Sequence, residues 1–158
     1  LIGNLPYNIS TPLLFHLVEQ ADGIEDMHFM LQKEVVDRMA AGPGSRTYGR
    51  LSVMLQVSCE ITPLFDIGPE SFDPPPKVNS SVVRLRPRPQ PLVSAEQMAG
   101  FGAFVSTAFA QRRKTLRNNL KGLLDADRIA AQGIDPGART ETLSTGDLIR
   151  LYEVVASA

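Results

Sequence analysis

The chain has 158 residues, of which 43% are hydrophobic and 21% are charged, and its net charge at pH 7 is −1. This composition predicts a packed globular core, and the near-zero net charge means that any basic surface must be local. The single cysteine, Cys59, excludes an internal disulfide framework and fits a reducing compartment. No secretory signal and no apolar run of about 20 residues occurs, so we expect a cytoplasmic protein without a membrane-spanning segment.

The first forty residues alternate between strand and helix patterns. Residues 1–3 are predicted to end an apolar strand, and residues 4–8 form the turn after it. A helix with Pro12 in its first turn follows and carries an apolar stripe at helical spacing. The short apolar run 27–32 is typical of a buried strand, and residues 33–41 predict another helix. This order indicates a parallel α/β sheet.

The character of the chain changes at a proline-rich segment. Residues 50–67 predict a helix followed by a strand, and residues 77–87 predict a final strand that runs antiparallel to its neighbours. Three prolines within residues 86–92 indicate a linker, and beyond it the apolar residues recur only at helical spacing. We therefore predict two domains, residues 1–90 and residues 91–158.

The tetrad Asn4-Leu5-Pro6-Tyr7 follows the first strand, at the end of a sheet where ligands bind in α/β proteins. Its residue types suit an exocyclic adenine amine, which is a poor nucleophile because its lone pair is delocalised into the ring. The Asn4 side-chain oxygen and the Leu5 main-chain carbonyl, whose backbone Pro6 restricts, can accept the two N–H groups and orient the nitrogen. Tyr7 can stack on the base. The alternative interpretation is that the tetrad is only a turn that ends the strand.

Four segments occur in order: GNLPYNIS at residues 3–10, QKEVVDR at 32–38, YGRLSV at 48–53 and FDPPPKVNSSVVRL at 72–85. Together they closely resemble the bacterial small-subunit ribosomal RNA adenine dimethyltransferases. The resemblance covers essentially the whole chain. It implies an α/β fold in which the C-terminal half of a Rossmann-like, S-adenosylmethionine-dependent methyltransferase sheet is followed by a small all-α domain.

The resemblance also implies roles for individual residues. Asn4 matches the residue that contacts both the target amine and the methyl donor, S-adenosyl-L-methionine. Leu5 supplies its carbonyl to the amine, and Tyr7 packs against the flipped adenine. Phe72 matches the aromatic residue that closes on the base from the other side, although a core aromatic near a loop is an alternative interpretation. An aromatic pair suits a base that must leave its stack before it reacts.

The chain departs from the family in its first part. Family members have an N-terminal half with a Gly-rich loop and an acidic residue that bind the donor, and this sequence contains no comparable loop. Its first residue is Leu1 and not Met, so we expect further residues to precede it. We expect the chain by itself to bind S-adenosylmethionine poorly, to be inactive, and to leave an open sheet edge with exposed apolar surface.

A basic segment lies in the second predicted domain. Residues 111–122 carry five positive charges and no acid, and a helix here would place Arg113, Arg117 and Lys121 on one face. We expect this face to contact RNA phosphates, although a solvated helix face is the alternative. The residues predicted to bind RNA are Lys33, Arg38, Lys77, Arg112, Arg113, Lys114, Arg117 and Lys121. His16 and His28 lack partners at ligand spacing, so no metal site is predicted.

The resemblance implies that the complete protein places two methyl groups on each of two adjacent adenines in small-subunit rRNA, within a pre-ribosomal particle and as a monomer. A large-subunit rRNA adenine methylase that confers antibiotic resistance is one alternative, although the near-neutral charge argues against it. A non-catalytic RNA-binding ribosome-assembly factor is the other, because the basic segment alone would suffice for that role.

Overall fold

The structure, a computed structural model, describes residues 1–158 and divides into two compact units. The sheet unit consists of residues 1–41 and 55–92, and the helical unit of residues 42–54 and 93–158. The chain passes to the helical unit at residue 42, returns to the sheet unit at residue 55, and enters the helical unit again at residue 93, at the end of the proline-rich region that predicts a linker. Residues 42–54 pack in the helical unit, whereas the predicted domains placed them in the first domain. The fully buried ring of Tyr48 holds this segment there, with its centroid 6.0 Å from that of Phe109.

The sheet unit contains one mixed sheet of four strands: β1 (Ile2–Asn4), β2 (Met27–Gln32), β3 (Cys59–Ile67) and β4 (Ser80–Pro87). Their order is β1-β2-β4-β3, with β1 parallel to β2 and β4 antiparallel to both β2 and β3. The predicted parallel start and antiparallel final strand are therefore confirmed. Strand β1 forms one edge, where Ile2 is 85% exposed.

The helices lie close to their predicted positions in the first half of the chain. They are α1 (Ser10–Glu19), α2 (Lys33–Ala40) and α3 (Arg50–Gln56), followed by α4 (Met98–Ala108), α5 (Leu116–Asn119), α6 (Ala126–Ala130) and α7 (Thr145–Ala156). Single 3₁₀ turns occur at Pro69–Ser71 and Thr140–Thr142. None of these helices is long and apolar enough to cross a membrane.

The two faces of the sheet differ in burial. Along β2 the side chains of Met27, Phe29 and Leu31 are buried, and the alternate residues between them are only half-buried. Strand residues alternate between faces, so one face forms the core of the sheet unit and the other is more open. The buried strand that the apolar run predicts is thus buried on one face. Asn4 lies beside Met30 in the strand register, on the more open face.

The helical unit has its own apolar core, and one predicted helix in it is wrong. Fully buried side chains from α4, α5, α6 and α7, and from the residue that directly follows α5, form this core: Phe101, Val105, Ala108, Leu116, Leu120, Ile129, Leu148 and Leu151. The continuous helix predicted over residues 111–122 does not form, because α5 covers only Leu116–Asn119. Thr115 is extended and bridges to Arg139, and Gly122 has a φ of +92°.

Candidate active site

The tetrad Asn4-Leu5-Pro6-Tyr7 crosses the carboxyl end of β1 as a tight, anchored turn. Leu5 is buried, and its N–H donates to the Met30 carbonyl at 3.3 Å. The Ile9 N–H then donates to the Pro6 carbonyl at 3.3 Å, which closes the turn before α1 begins. The apolar Leu5 side chain and these backbone bonds therefore hold the neighbouring polar groups in place.

Two oxygen acceptors of this turn are left open. The Asn4 side chain is exposed and forms no hydrogen bond with another protein group. No backbone N–H donates to the Leu5 carbonyl, which lies just beyond the last residue of β1. A side-chain amide oxygen and a main-chain carbonyl of consecutive residues are thus available to the N–H groups of a ligand.

Tyr7 is half-buried and fixed at its hydroxyl end. Its Oη lies 2.5 Å from the Oγ of Ser80, the first residue of β4, whose side chain is fully buried. This hydrogen bond joins residues that are 73 positions apart in the sequence. The ring of Tyr7 is therefore positioned by the sheet as well as by its own turn.

Phe72 lies in the segment between β3 and β4 and lines the same cavity as the tetrad. It follows the 3₁₀ turn after β3, where its N–H donates to the Pro69 carbonyl at 3.2 Å. A cavity of about 420 Å³, within the roughly 300–1,000 Å³ range of small-molecule sites, brings the predicted residues together. Its lining residues are Asn4, Leu5, Pro6, Tyr7, Met30, Phe72, Pro74 and Pro76.

Four residues of this site were not predicted from the sequence: Met30, Pro74 and Pro76, which line the cavity, and Ser80, which contacts Tyr7. Met30 and Ser80 differ in whether the sequence contained a usable signal. Both lie in strands that were correctly predicted, and both face the more open side of the sheet. Met30 had a usable signal, because it sits near the carboxyl end of the strand beside β1, where α/β sheets bind ligands. Ser80 had none, because its contact depends on how the distant turn folds onto β4.

The three predicted cations of the sheet unit have different surroundings. The Lys33 Nζ lies 3.2 Å from the Asp37 carboxylate and 3.4 Å from that of Asp66. The hydrogen bond to Asp37 and the charge of that carboxylate raise the pKa of Lys33. Arg38, on α2, and Lys77, on the segment before β4, are exposed. Lys33 already has carboxylate partners, so its charge is less open to a phosphate than that of Lys77.

The cations of the helical unit lie on a turn and on the short helix α5. The side chains of Gln111, Arg112, Arg113 and Lys114 line a cavity of about 510 Å³. Arg112 donates to the Arg46 carbonyl at 2.6 Å, and its Nε lies 3.6 Å from the Glu141 carboxylate. Arg113, Lys114, Arg117 and Lys121 are exposed. These five cations, Arg112, Arg113, Lys114, Arg117 and Lys121, form the basic cluster. The cluster is concave where its first three members line the cavity, and Glu141 partly neutralises the charge of Arg112.

The comparisons with known proteins agree with the geometry. The model of the family described as ribosomal RNA adenine dimethylase matches residues 1–157. The chain is 58% identical over 151 residues to ribosomal RNA small subunit methyltransferase A of Idiomarina loihiensis, covering 96% of this chain and 52% of that protein. Its counterpart in Methylococcus capsulatus is 61% identical over 150 residues, with 95% and 58% covered. The chain therefore spans little more than half the length of these curated relatives.

Solved structures show the same fold at low sequence identity. A dimethyladenosine transferase from Plasmodium falciparum superposes with a TM-score of 0.87 at 24% identity, covering 99% of this chain and 66% of that chain. The 23S rRNA methyltransferase ErmE gives a TM-score of 0.74 at 24% identity, with 98% and 64% covered. These superpositions confirm the predicted α/β fold.

Proposed function

Because the chain belongs to the ribosomal RNA adenine dimethylase family, we propose that the protein containing it methylates the N6 amines of two adjacent adenines in small-subunit rRNA. One observation carries the proposal: a single cavity is lined by the two residues with open oxygen acceptors, Asn4 and Leu5, and by two aromatic residues. These come from segments that are more than sixty residues apart in the sequence. Such a set of groups matches a flat heterocycle with an exocyclic amine.

The two acceptors of the tetrad would activate the amine by orienting it. The Asn4 side-chain oxygen and the Leu5 carbonyl would each accept one N–H of the adenine amine, which draws the nitrogen toward tetrahedral geometry and directs its lone pair. No strong base is required. Transfer of the methyl group would break its bond to the donor sulfur and leave the positive charge on the nitrogen, and that cation would then release a proton readily. Catalysis then rests on positioning and on preorganised dipoles.

The two aromatic side chains would hold the base. An adenine in structured RNA must leave its stack before its amine can be reached. Tyr7 and Phe72 line the same cavity, and a base between them recovers stacking that is worth roughly 1–3 kcal/mol per aromatic contact. The prolines of the same cavity stiffen the segment that carries Phe72.

Part of the methyl-donor site fits this chain. S-adenosyl-L-methionine supplies an electrophilic methyl group on a sulfonium sulfur. Asn4 lies at the carboxyl end of β1 and is exposed, so it is the residue here that would contact the donor. The Gly-rich loop that holds another part of such a donor in the family has no counterpart in this sequence.

Exposed cations would position the RNA without reading its sequence. Arg113, Lys114, Arg117 and Lys121 of the helical unit, with Arg38 and Lys77 of the sheet unit, are exposed. Lys33 and Arg112 would contribute less, because carboxylates already lie beside them. The partner we propose is a pre-ribosomal small-subunit particle, which a monomeric protein would meet in the cytoplasm.

The comparisons favour the small subunit over the large one as the source of the substrate. The relatives at 58% and 61% identity are named as small-subunit methyltransferases, whereas the likeness to ErmE, at 24% identity, concerns the fold. The open acceptors beside the cavity favour an enzyme over an RNA-binding assembly factor without catalysis.

The replacement Asn4→Ala in the full-length protein tests the proposal. We expect methyl transfer from labelled donor to immature small subunits to fall by about 10²-fold, the usual effect of removing one preorganised group. Binding to the particle should change little, since the phosphate contacts remain. Asn8→Ala is the matched control, because Asn8 lies exposed in the same turn but does not line the cavity. Undiminished methylation by the Asn4 variant would refute the catalytic role.

A further inference from the structure

We infer that Ser80 is a positioning residue that sets the orientation of Tyr7 relative to Phe72, and so the gap in which the target base is held. This inference rests on the proposed function. Ser80 does not line the cavity, and it belongs neither to the tetrad nor to the aromatic pair.

The first observation is the hydrogen bond itself. The Ser80 Oγ lies 2.5 Å from the Tyr7 Oη, and the Ser80 side chain is 0% exposed. The phenol is the one partner that the structure gives to this buried hydroxyl. A buried hydroxyl that loses its partner is costly, so the bond holds the end of the Tyr7 side chain against β4. Because the backbone turn and the hydroxyl are both held, the ring has little freedom to swing away from β4.

The second observation is the place of Ser80 in the sheet. Its backbone pairs in register with Gln32 of β2 on one side and with Ile67 of β3 on the other. Ile67 is the last residue of β3, and Phe72 follows five positions later through a single 3₁₀ turn. Ser80 therefore connects both sides of the cavity: its hydroxyl holds Tyr7, and its backbone holds the strand end that leads to Phe72.

This arrangement has a direct consequence for chemistry. Methyl transfer requires the amine in a near-attack geometry, and a misplacement of about 1 Å can lower the rate by roughly 10²-fold. If the Tyr7 ring could tilt, the base would still stack on it, but the adenine amine would meet the methyl donor at varying angles. We therefore expect Ser80 to affect the rate of transfer more than the affinity for RNA.

The neighbouring residue offers a matched control. Ser81 is also buried, at 1% exposure, and its hydroxyl donates to the Phe65 carbonyl at 3.2 Å. It lies in the same strand as Ser80 but points to the opposite face of the sheet. Ser81→Ala removes a comparable buried hydrogen bond without touching Tyr7.

The experiment is a double-mutant cycle in the full-length protein, with kcat, the Kd for the immature small subunit and the melting temperature measured for each variant. Ser80→Ala and Tyr7→Phe should each lower kcat by about tenfold, the rate factor of one ordinary hydrogen bond. The double variant should also lose about tenfold, not a hundredfold, because both replacements remove one bond. The Kd of each variant should stay within about twofold of the wild-type value. Ser80→Thr, which keeps the hydroxyl, should retain most of the wild-type kcat, and Ser81→Ala should leave kcat unchanged.

Several results would overturn the inference. These are additive losses in the double variant, an equal loss of kcat in Ser81→Ala, or no loss in Ser80→Ala. If Ser80→Ala does not fold, Tyr7→Phe removes the same bond from the side of the loop, and unchanged kcat there overturns the inference as well. If the wild-type protein is active and one of these results is found, only the role of Ser80 is refuted. If the wild-type protein transfers no methyl group, the proposed function is refuted too.

Discussion

At the scale of single residues, two buried side chains titrate at alkaline pH. Cys59 is fully buried in β3, and its loss of hydration raises the pKa of its thiol to about 11, against the opposing charge of Arg88. Burial likewise raises the pKa of Tyr48 above its ordinary value of 10.0. For both groups the folded protein keeps the proton at a pH where the unfolded chain has released it. Their contribution to stability is complete below the unfolded pKa and is lost as the pH rises.

We predict that Cys59→Ala removes part of this alkaline destabilisation. Between pH 9 and pH 11 the wild-type free energy of unfolding should fall by roughly 1–2 kcal/mol more than that of the variant. Urea unfolding at intervals across this range measures the difference, and the lysines common to both proteins cancel in the comparison. If the free energy of unfolding fell equally with pH in both proteins, the pKa of the thiol would not have the expected shift.

At the scale of elements, the basic segment shows how backbone geometry overrides a helical pattern. The charges and leucines of residues 111–122 recur at helical spacing, yet only four residues form α5. The Leu116 N–H donates to the Ala138 carbonyl at 2.7 Å, which holds the start of α5 beside the segment near Arg139. Gly122 then takes a φ of +92°, a conformation that residues with a Cβ rarely adopt.

Gly122→Ala should therefore lower the stability of the helical unit by about 1 kcal/mol or more, because alanine is strained at positive φ. No atom lies within 4 Å of the position that its Cβ would take, so crowding does not contribute. Gly42→Ala is the control, since it also has open space but no positive φ, and it should be neutral or slightly stabilising. Thermal unfolding of both variants tests the expectation, which equal melting temperatures would contradict.

At the scale of the whole molecule, a net charge of −1 coexists with a local cationic surface. Lysines and arginines that contact phosphates release counterions from RNA, so each contact contributes to the salt dependence of binding. The cations of the basic cluster differ in whether a carbonyl or carboxylate group of the protein already binds them. Arg112 is held by the Arg46 carbonyl and Glu141, whereas Arg113 and Lys114 are exposed beside it.

Replacing both Arg113 and Lys114 by Ala should weaken binding of the full-length protein to the small subunit and reduce the slope of log K against log salt by about 1.5. Titrations at several salt concentrations measure this slope. Arg150→Ala serves as the control, because Arg150 is exposed but pairs with Asp147 outside the cluster. If the control and the double variant changed the slope equally, the effect would reflect overall charge and not this cluster.

Local patterns in the sequence specify the order of strands and helices through β4, the antiparallel last strand and the position of the Asn4–Tyr7 tetrad. These features depend on local periodicity and on backbone preferences such as those of proline, which nearby residues encode. The tertiary structure was needed to show that Phe72 and Tyr7 line one cavity, that Ser80 holds the Tyr7 hydroxyl, and that residues 42–54 pack in the helical unit. It also decided that α5 is short and that Lys33 and Arg112 have carboxylate partners. Contacts between residues that are distant in sequence depend on strand register and on packing, which no local pattern specifies.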